Sequence, residues 1–580
     1  MIFDMHGETI SSPLALGERV PKSDAQRQAE VEAQMAARDR LEKEAQRQEE
    51  SERKRAERHA ELEILAHGST KDKQWVLRSK RCNAEQAKPA VRWPGISMEQ
   101  VMSNHDKRSI GLIYGLQIPW TAEQLVSMGA EWLTRAFHAA GTLGEDNAVT
   151  SLSLDDAKID SGNNAGKFLF SVSYAKPSPV LHTKLFAKVP FAMTSETQAD
   201  RISSSVYKQP MDFMEINAYR LLEASFPVQT PKYYFGDISS QTSNFILILE
   251  RIMYAELEGF QEELQPGCIE GPFEKCRDHL LRRNPDDYYR LLLRKTALIA
   301  AAHKRGDMGT EHFLRLNVMQ PGLGPPSDRP DIAKRVLDTA VNFFAETAYR
   351  LYPDYVTTDD FRAKFMRTLM KFNAYAPDIE RWKNESDPDL LALGHQNLNL
   401  DNAYFWRDGH GTLDCGLLDW GGFGISALGH KIWWMFNTAL FDSFKQHLND
   451  YIELCASTYE REGDVKVDRL VLKMQVLLVS LGNTMYMAKA VPNCYKMVPQ
   501  REWGGIDNRD HPHIAGNLGG KSTLRTTVQV LGNGLRCIEE LGADQVLEDW
   551  ISEVYVAQWR RTPKSDAEIG SNIIRASAAE

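Results

Sequence analysis

The feature that most limits how this chain can fold is a change of periodicity along it. SLSLDDAKI, KFLFSVSYA and LHTKLFAKVPF, within residues 151–191, alternate apolar and polar positions and are rich in β-branched and aromatic residues. They predict three strands. MDFMEINAYRLLEAS (211–225) has a helical pattern, and PKYYFGDI (231–238) and NFILILERI (244–252) predict two more strands. Beyond about residue 285 the texture is helical, in DDYYRLLLRKTALIAAAHKRG, IAKRVLDTAVNFFAETAYRLY, DRLVLKMQVLLVSLGNTMYMAKA and TLRTTVQVLGNGLRCIEELG. One strand pair interrupts it, NAYFW and LDCGLLDW, with Asp-Gly at the turn. A small β-rich lobe before a large helical lobe is an α+β arrangement.

Upstream, IPWTAEQLVSMGAEWLTRAFHAA (118–140) predicts a leading helix. Thr121 and Gln124 form its capping box, and Leu125, Met128, Trp132, Leu133 and Phe137 its apolar stripe. Residues 69–112 carry little pattern and read as a linker. Residues 23–64 are rich in Gln, Glu, Arg and Ala, and their few apolar residues hold no heptad seam. They predict a solvated helix or a disordered extension; the alternative is a helix that meets a protein partner. The expected divisions are 1–112 for extension and linker, 113–253 for the β-rich lobe with its leading helix, and 254–580 for the helical lobe.

The 580-residue chain has a formal net charge of −10, which argues against a dedicated nucleic-acid binder. Its seven cysteines are scattered without a CxxC pair, so neither a disulfide framework nor a zinc site is expected. The N-terminus lacks a signal-peptide pattern. VLKMQVLLVSLG (471–482), the longest apolar run, is too short to span a bilayer and carries Lys473. A cytoplasmic protein without a membrane span is the expectation.

The chemistry concentrates in LALGHQNLNLDNAYFWRDGHGTLDCGLLDWGGFG (391–424). The hairpin brings its strand ends together, so Asn402 and Asp419 can face one another. Two oxygen ligands suit Mg²⁺, which completes its shell with phosphate and water. SGNNAGK, which contains Gly162 and Gly166, can fold over phosphates with its backbone N–H groups, although Gly/Asn is also ordinary hairpin chemistry. Lys188 lies in an otherwise apolar strand and needs a partner or an anion. Glu215 in the next helix is the expected partner, and a Lys so paired holds the α- and β-phosphates of a nucleotide.

These residues resemble the ecdysteroid-kinase-like branch of the aminoglycoside/choline kinase superfamily, from about residue 118 onward. GHQNLNLDN keeps the first and last members of that family's His-Gly-Asp-x-x-x-x-Asn loop, as His395 and Asn402. LLDWGG supplies the later Asp as Asp419, and Lys188 and Glu215 match the family's Lys and helix Glu. PKYYFGDI resembles the family's Pro-Lys-x-Tyr segment. ILILERI resembles the strand leading to the hinge, which places the backbone of Glu250 and Ile252 near adenine. The resemblance implies a two-lobed protein-kinase-like fold with ATP and Mg²⁺ in the cleft and a small-molecule acceptor.

Two positions depart from the pattern. Gln396 stands where the family has Gly, and Asn397 where it has the Asp that accepts the substrate hydroxyl proton. A carboxamide has no useful basicity, so Asn397 can orient a hydroxyl without deprotonating it. The expected function is an ATP- and Mg²⁺-dependent phosphotransferase acting on a hydroxyl of a small organic molecule; the alternative is a pseudokinase that binds nucleotide or a partner without efficient turnover.

Other motifs have plainer explanations. AGNLGGKS (515–522) fits a permissive phosphate-loop pattern, but the polar NRDHPHI before it is no buried strand. His511 and His513 lack a third metal ligand. HKIWWMFNTALF (430–441) reads as a buried helix, and His303 as a structural histidine at a helix end.

Overall fold

The computed structural model describes residues 35, 43, 46, 49–50, 52–156, 159, 165–255, 264–281, 283–314, 327–516 and 521–570. The chain divides into two compact units, residues 1–76 and residues 77–580. In the first, residues 52–67 are helical and carry the ion pairs Arg53–Glu57 and Lys54–Glu50 one helical turn apart. Most of residues 23–51, to which the predicted extension also belongs, lie outside the described residues.

The second unit is α+β, with a small antiparallel sheet and a large helical portion. The sheet contains β1 (Val149–Leu154), β2 (Gly166–Tyr174), β3 (Lys184–Val189), β4 (Tyr233–Ile238) and β5 (Phe245–Glu250), in the order β1-β2-β3-β5-β4. All five coincide with the predicted strands. The helix Met211–Leu222 is buried from Phe213 to its end and packs on β4. In the leading helix Ala122–Ala139, Thr121 accepts the Gln124 N–H, while the Gln124 side chain accepts from Trp120, so the cap forms with a shifted partner.

The linker reading of 69–112 does not hold from residue 77 onward. On the C-terminal part of the helix Thr70–Gln86, the buried Arg81 guanidinium pairs with Glu223 at 2.6 Å and donates to the Arg220 carbonyl. Glu85 pairs with Arg220 at 2.6 Å. Charge pairs of this kind leave no hydrophobic period, which is why the pattern missed the segment.

The helical portion surrounds two small sheets. β6 (Ile269–Glu270), β8 (Ala403–Arg407) and β9 (Leu413–Leu417) form one, and β7 (Leu391–Gly394) with β10 (Gly424–Ala427) the other. The helices Pro285–Lys304, Arg469–Met497 and Thr523–Glu540 match predicted segments; Asp359–Glu385 and Phe441–Gly463 were not anticipated. Arg469–Met497 is the one described helix long and apolar enough to cross a membrane, and 67% of its apolar window is buried inside the fold. Leu428–Phe436 is the expected buried helix, and His303 bonds Thr310 at the end of Pro285–Lys304.

Lys431 on the helix Leu428–Phe436 is buried without a carboxylate partner among the described residues. Its ammonium donates to Ser426 Oγ (2.9 Å) and to the Gly424 carbonyl (3.3 Å). Burial pushes it down to about 7. Between that value and the ordinary lysine value the unfolded chain keeps a proton that the folded chain has lost. Stability therefore rises with pH across this window and carries the full penalty below it. Lys431→Met should raise unfolding stability by about 2–4 kcal/mol at pH 6, with the gain shrinking toward pH 10. Denaturant titrations of both proteins at several pH values measure this; a pH-independent difference would refute it.

Candidate active site

Two chain reversals meet at the junction of the small sheets. Residues 395–402 lead from β7 to β8, and residues 418–423 lead from β9 to β10. The β8–β9 register pairs Ala403 with Leu417, and the Leu418 N–H donates to the Asn402 carbonyl at 2.8 Å. Asn402 and Asp419 therefore leave adjacent strand ends, as the hairpin pattern predicts.

The 395–402 loop is held from inside. His395 is buried; Nδ1 accepts the Asn397 N–H (3.1 Å), so the proton sits on Nε2, which donates to the Leu418 carbonyl (2.8 Å). Burial lowers its pKa and favours this neutral form. With one nitrogen engaged within its own loop and the other on the 418–423 turn, His395 holds the two reversals together as a positioning residue. Asn402 Nδ2 donates to the Asn397 carbonyl at 2.7 Å, and Asn399 Nδ2 to the Trp434 carbonyl at 2.6 Å. Both backbone groups of Asn397 are thus fixed, while its side-chain amide has no hydrogen-bond partner among the described residues. Gln396 is accommodated by Ser426, whose hydroxyl donates to Gln396 Oε1 at 2.7 Å and accepts from Lys431.

Asp419 occupies the left-handed region (φ 58°, ψ 64°). For a non-glycine residue this costs on the order of 1–3 kcal/mol, so the surroundings must impose it. Trp420, buried directly after it, stacks on Phe226 with 4.1 Å between ring centroids and donates to Thr230. That anchor fixes the turn and turns the Asp419 carboxylate toward β3.

There it meets Lys188. The Lys188 ammonium lies 2.6 Å from Glu215 Oε2 and 3.0 Å from Asp419 Oδ1. Burial disfavours the lysine charge, but Asp419 and Glu215 outweigh it and raise Lys188 above its usual range. Burial pushes Glu215 up to about 7 against the pull of Lys188. Partial burial also opposes ionisation of Asp419, yet Lys188 and then Lys167 hold that carboxylate well below the usual range. Asp212, one turn before Glu215 on the same helix, is raised by burial and accepts from Ser204. Lys188, Glu215, Asn402 and Asp419, predicted from four separate segments, are therefore brought together.

Of the two loop glycines expected near phosphate, Gly166 opens β2 and Gly162 lies outside the described residues. The Glu250 N–H donates to the Lys232 carbonyl at 2.8 Å, while its carboxylate accepts from the Lys232 N–H.

Lys167 was not singled out from the sequence. The β2–β3 register sets it directly opposite Lys188, so both side chains leave the same face of the sheet. Burial and Lys188 push it below the usual lysine range, while Asp419 and Glu215 pull the other way. Two lysines side by side repel, which favours an anion between them. Only the strand register reveals this pair. Lys167→Met should weaken ATP binding about tenfold, the loss of one charge-assisted hydrogen bond, with little change in thermal stability. Calorimetric titration with Mg²⁺ present measures it, and unchanged affinity would rule out a phosphate contact.

The phosphate-loop alternative gains nothing from the structure. Lys521 pairs with Asp200, and Pro512–Ala515 is a short helix, not a strand. Among the described residues no cluster of three or more His, Cys, Asp or Glu could hold a metal, and the His511 ring accepts the His513 N–H.

No protein-family model and no curated protein matches the chain. Similar solved structures include a GDP-bound variant of aminoglycoside 2′-phosphotransferase-IIIa, at 12% identity over 68% of this chain and 94% of that one, with a TM-score of 0.33. Choline kinase from Cryptosporidium parvum is similar at 10% identity over 74% of this chain and 100% of that one (TM-score 0.33). A microcompartment-associated aminopropanol kinase is similar at 14% identity over 70% of this chain and 95% of that one (TM-score 0.32). Likeness at this level adds no argument about the site, whose chemistry rests on its own geometry.

Proposed function

We propose that this site binds ATP as its magnesium complex and transfers the γ-phosphoryl group to a hydroxyl of a small organic acceptor. The observation that carries this reading is the Lys188 ammonium, held between Glu215 at 2.6 Å and Asp419 at 3.0 Å. A buried cation fixed by one carboxylate, beside a second carboxylate on a strand end, suits a triphosphate and its metal. Asn402 Oδ1 and Asp419 offer two hard oxygen ligands, the number Mg²⁺ takes from protein when phosphates and water supply the rest. Magnesium, when bound, would offset charge on the phosphoryl oxygens. Lys188 and Lys167 would hold the phosphates, and Gly166 would let the backbone of its loop approach them. Since the Glu250 N–H is already engaged, the Glu250 carbonyl and the Ile252 backbone are the groups left for adenine.

Asn397 would hydrogen-bond the acceptor hydroxyl with its free amide without taking its proton. Phosphoryl transfer passes through a loose transition state and depends mainly on positioning and electrostatics, so such a site can still turn over. The missing base also favours a second reading, a pseudokinase that binds nucleotide or a partner.

Thermal stabilisation by ATP tests the shared part of both. It should require Mg²⁺ and disappear in Asp419→Ala, with affinity lost by about 10²-fold or more. Equal stabilisation of wild type and variant would remove the site from consideration.

A further inference from the structure

A cavity of about 440 Å³ in the helical portion has five arginines in its wall: Arg277, Arg350, Arg509, Arg525 and Arg536. That volume suits a small organic molecule. Asp442 is the one carboxylate among the lining residues, and together with Glu540 it is spent on Arg536. Arg277 and Arg525 share one ion-pair partner among the described residues, the largely exposed Glu274, at 3.8 and 3.4 Å, and both also donate to the Ala515 carbonyl. Asp510, which acts on Arg277 and Arg509, is paired with the lining His279. Arg350 donates to the Gly504 carbonyl and Arg509 to the Gln529 carboxamide. Neutral oxygens satisfy N–H groups without cancelling charge. Two buried donors of the lining, Arg525 Nε and the Tyr352 hydroxyl, have no hydrogen-bond partner among the described residues. Burial acts against the charge of Arg525, and Cys276 and Glu274 offset it only in part.

The cavity adjoins the catalytic loop. Cys276 forms part of its wall, and the preceding Lys275 pairs at 3.5 Å with Asp401, the residue before Asn402. Guanidinium groups recognise phosphate and carboxylate in bidentate fashion. From this geometry we infer that the cavity is the acceptor subsite and that the acceptor is an anionic alcohol, carrying a phosphate or carboxylate group that the arginines hold. The assignment of the bound anion as acceptor rests on the phosphotransferase reading. In the reaction, the acceptor oxygen forms a bond to the γ-phosphorus as the bond to the bridging oxygen breaks. ADP leaves with that electron pair, and the hydroxyl proton passes to water.

Titration calorimetry of the full chain with glycerol 3-phosphate and with glycerate, with ethanolamine as the cationic control, tests the site. At least one of the two anions should bind in the millimolar range or tighter, and ethanolamine should not. Arg350→Gln/Arg509→Gln, which spares the buried Arg525, should weaken the anion about tenfold and leave MgATP affinity unchanged. Binding should persist in Lys188→Ala, which separates this site from the nucleotide cleft. The difference between the two anions tells whether phosphate or carboxylate is held. ADP release from MgATP should be stimulated by an anionic alcohol and not by the amino alcohol. Neither anion binding to wild type, equal anion affinity in the double variant, or turnover with ethanolamine alone would overturn the inference. Anion binding without any MgATP binding would instead sink the phosphotransferase reading while the anion site stands.

Discussion

Lys188→Ala is expected to lower any ADP release by on the order of 10²–10³-fold and to remove Mg²⁺-dependent stabilisation by ATP. Lys188 ties the sheet to both carboxylates, at 2.6 Å from Glu215 and 3.0 Å from Asp419. Its loss leaves Lys167 as the cation on that face, one strand away. It also leaves Glu215 buried without its counter-charge. Because Glu215 already stands at about 7, the vacancy is met by proton uptake at neutral pH, which limits the cost to the fold. Loss of nucleotide binding should therefore exceed loss of thermal stability, and the two are separated by calorimetric titration alongside thermal unfolding without nucleotide. A Lys188→Ala protein that bound ATP as tightly as wild type would show that the nucleotide lies elsewhere.

Asn397→Asp is expected to raise kcat by roughly 10²–10⁴-fold, the usual worth of a general base. The substitution preserves shape, and the side chain it replaces makes no hydrogen bond among the described residues. Its backbone stays fixed through His395 and Asn402. The loop is therefore already built for a carboxylate at this position, and the exchange should cost little stability. Initial-rate measurements of ADP release on both proteins give the answer. A gain means that the natural residue restrains turnover. A loss from a robust wild-type rate means that the amide itself belongs to a working site and that the base is dispensable.

Much of the site was legible before the fold because each of its residues breaks a local pattern. Lys188 interrupts an apolar strand, Asn402 and Asp419 sit at the ends of a hairpin marked by Asp-Gly, and Glu215 lies within a strongly helical stretch. Residues that keep to an ordinary local pattern stayed hidden. Lys167 is one of many strand lysines until β2 and β3 are placed in register. Lys431 falls among aromatics that already explain its helix. Residues 77–112 were misread because Arg81 and Glu85 are buried through charge pairs to a distant helix.

The sequence alone determined the α+β class, the order of the five sheet strands along the chain and the identity of the charged residues that meet around Lys188, since periodicity and turn chemistry act over a few neighbouring residues. Only the tertiary structure decided that Lys188 reaches Asp419 across 231 positions of sequence, that His395 spends one nitrogen on its own loop and the other on the 418–423 turn, and that five arginines from four segments line one cavity. Such meetings depend on strand register, on the left-handed turn at Asp419 that Trp420 anchors, and on how helices far apart in sequence pack, none of which a local pattern encodes.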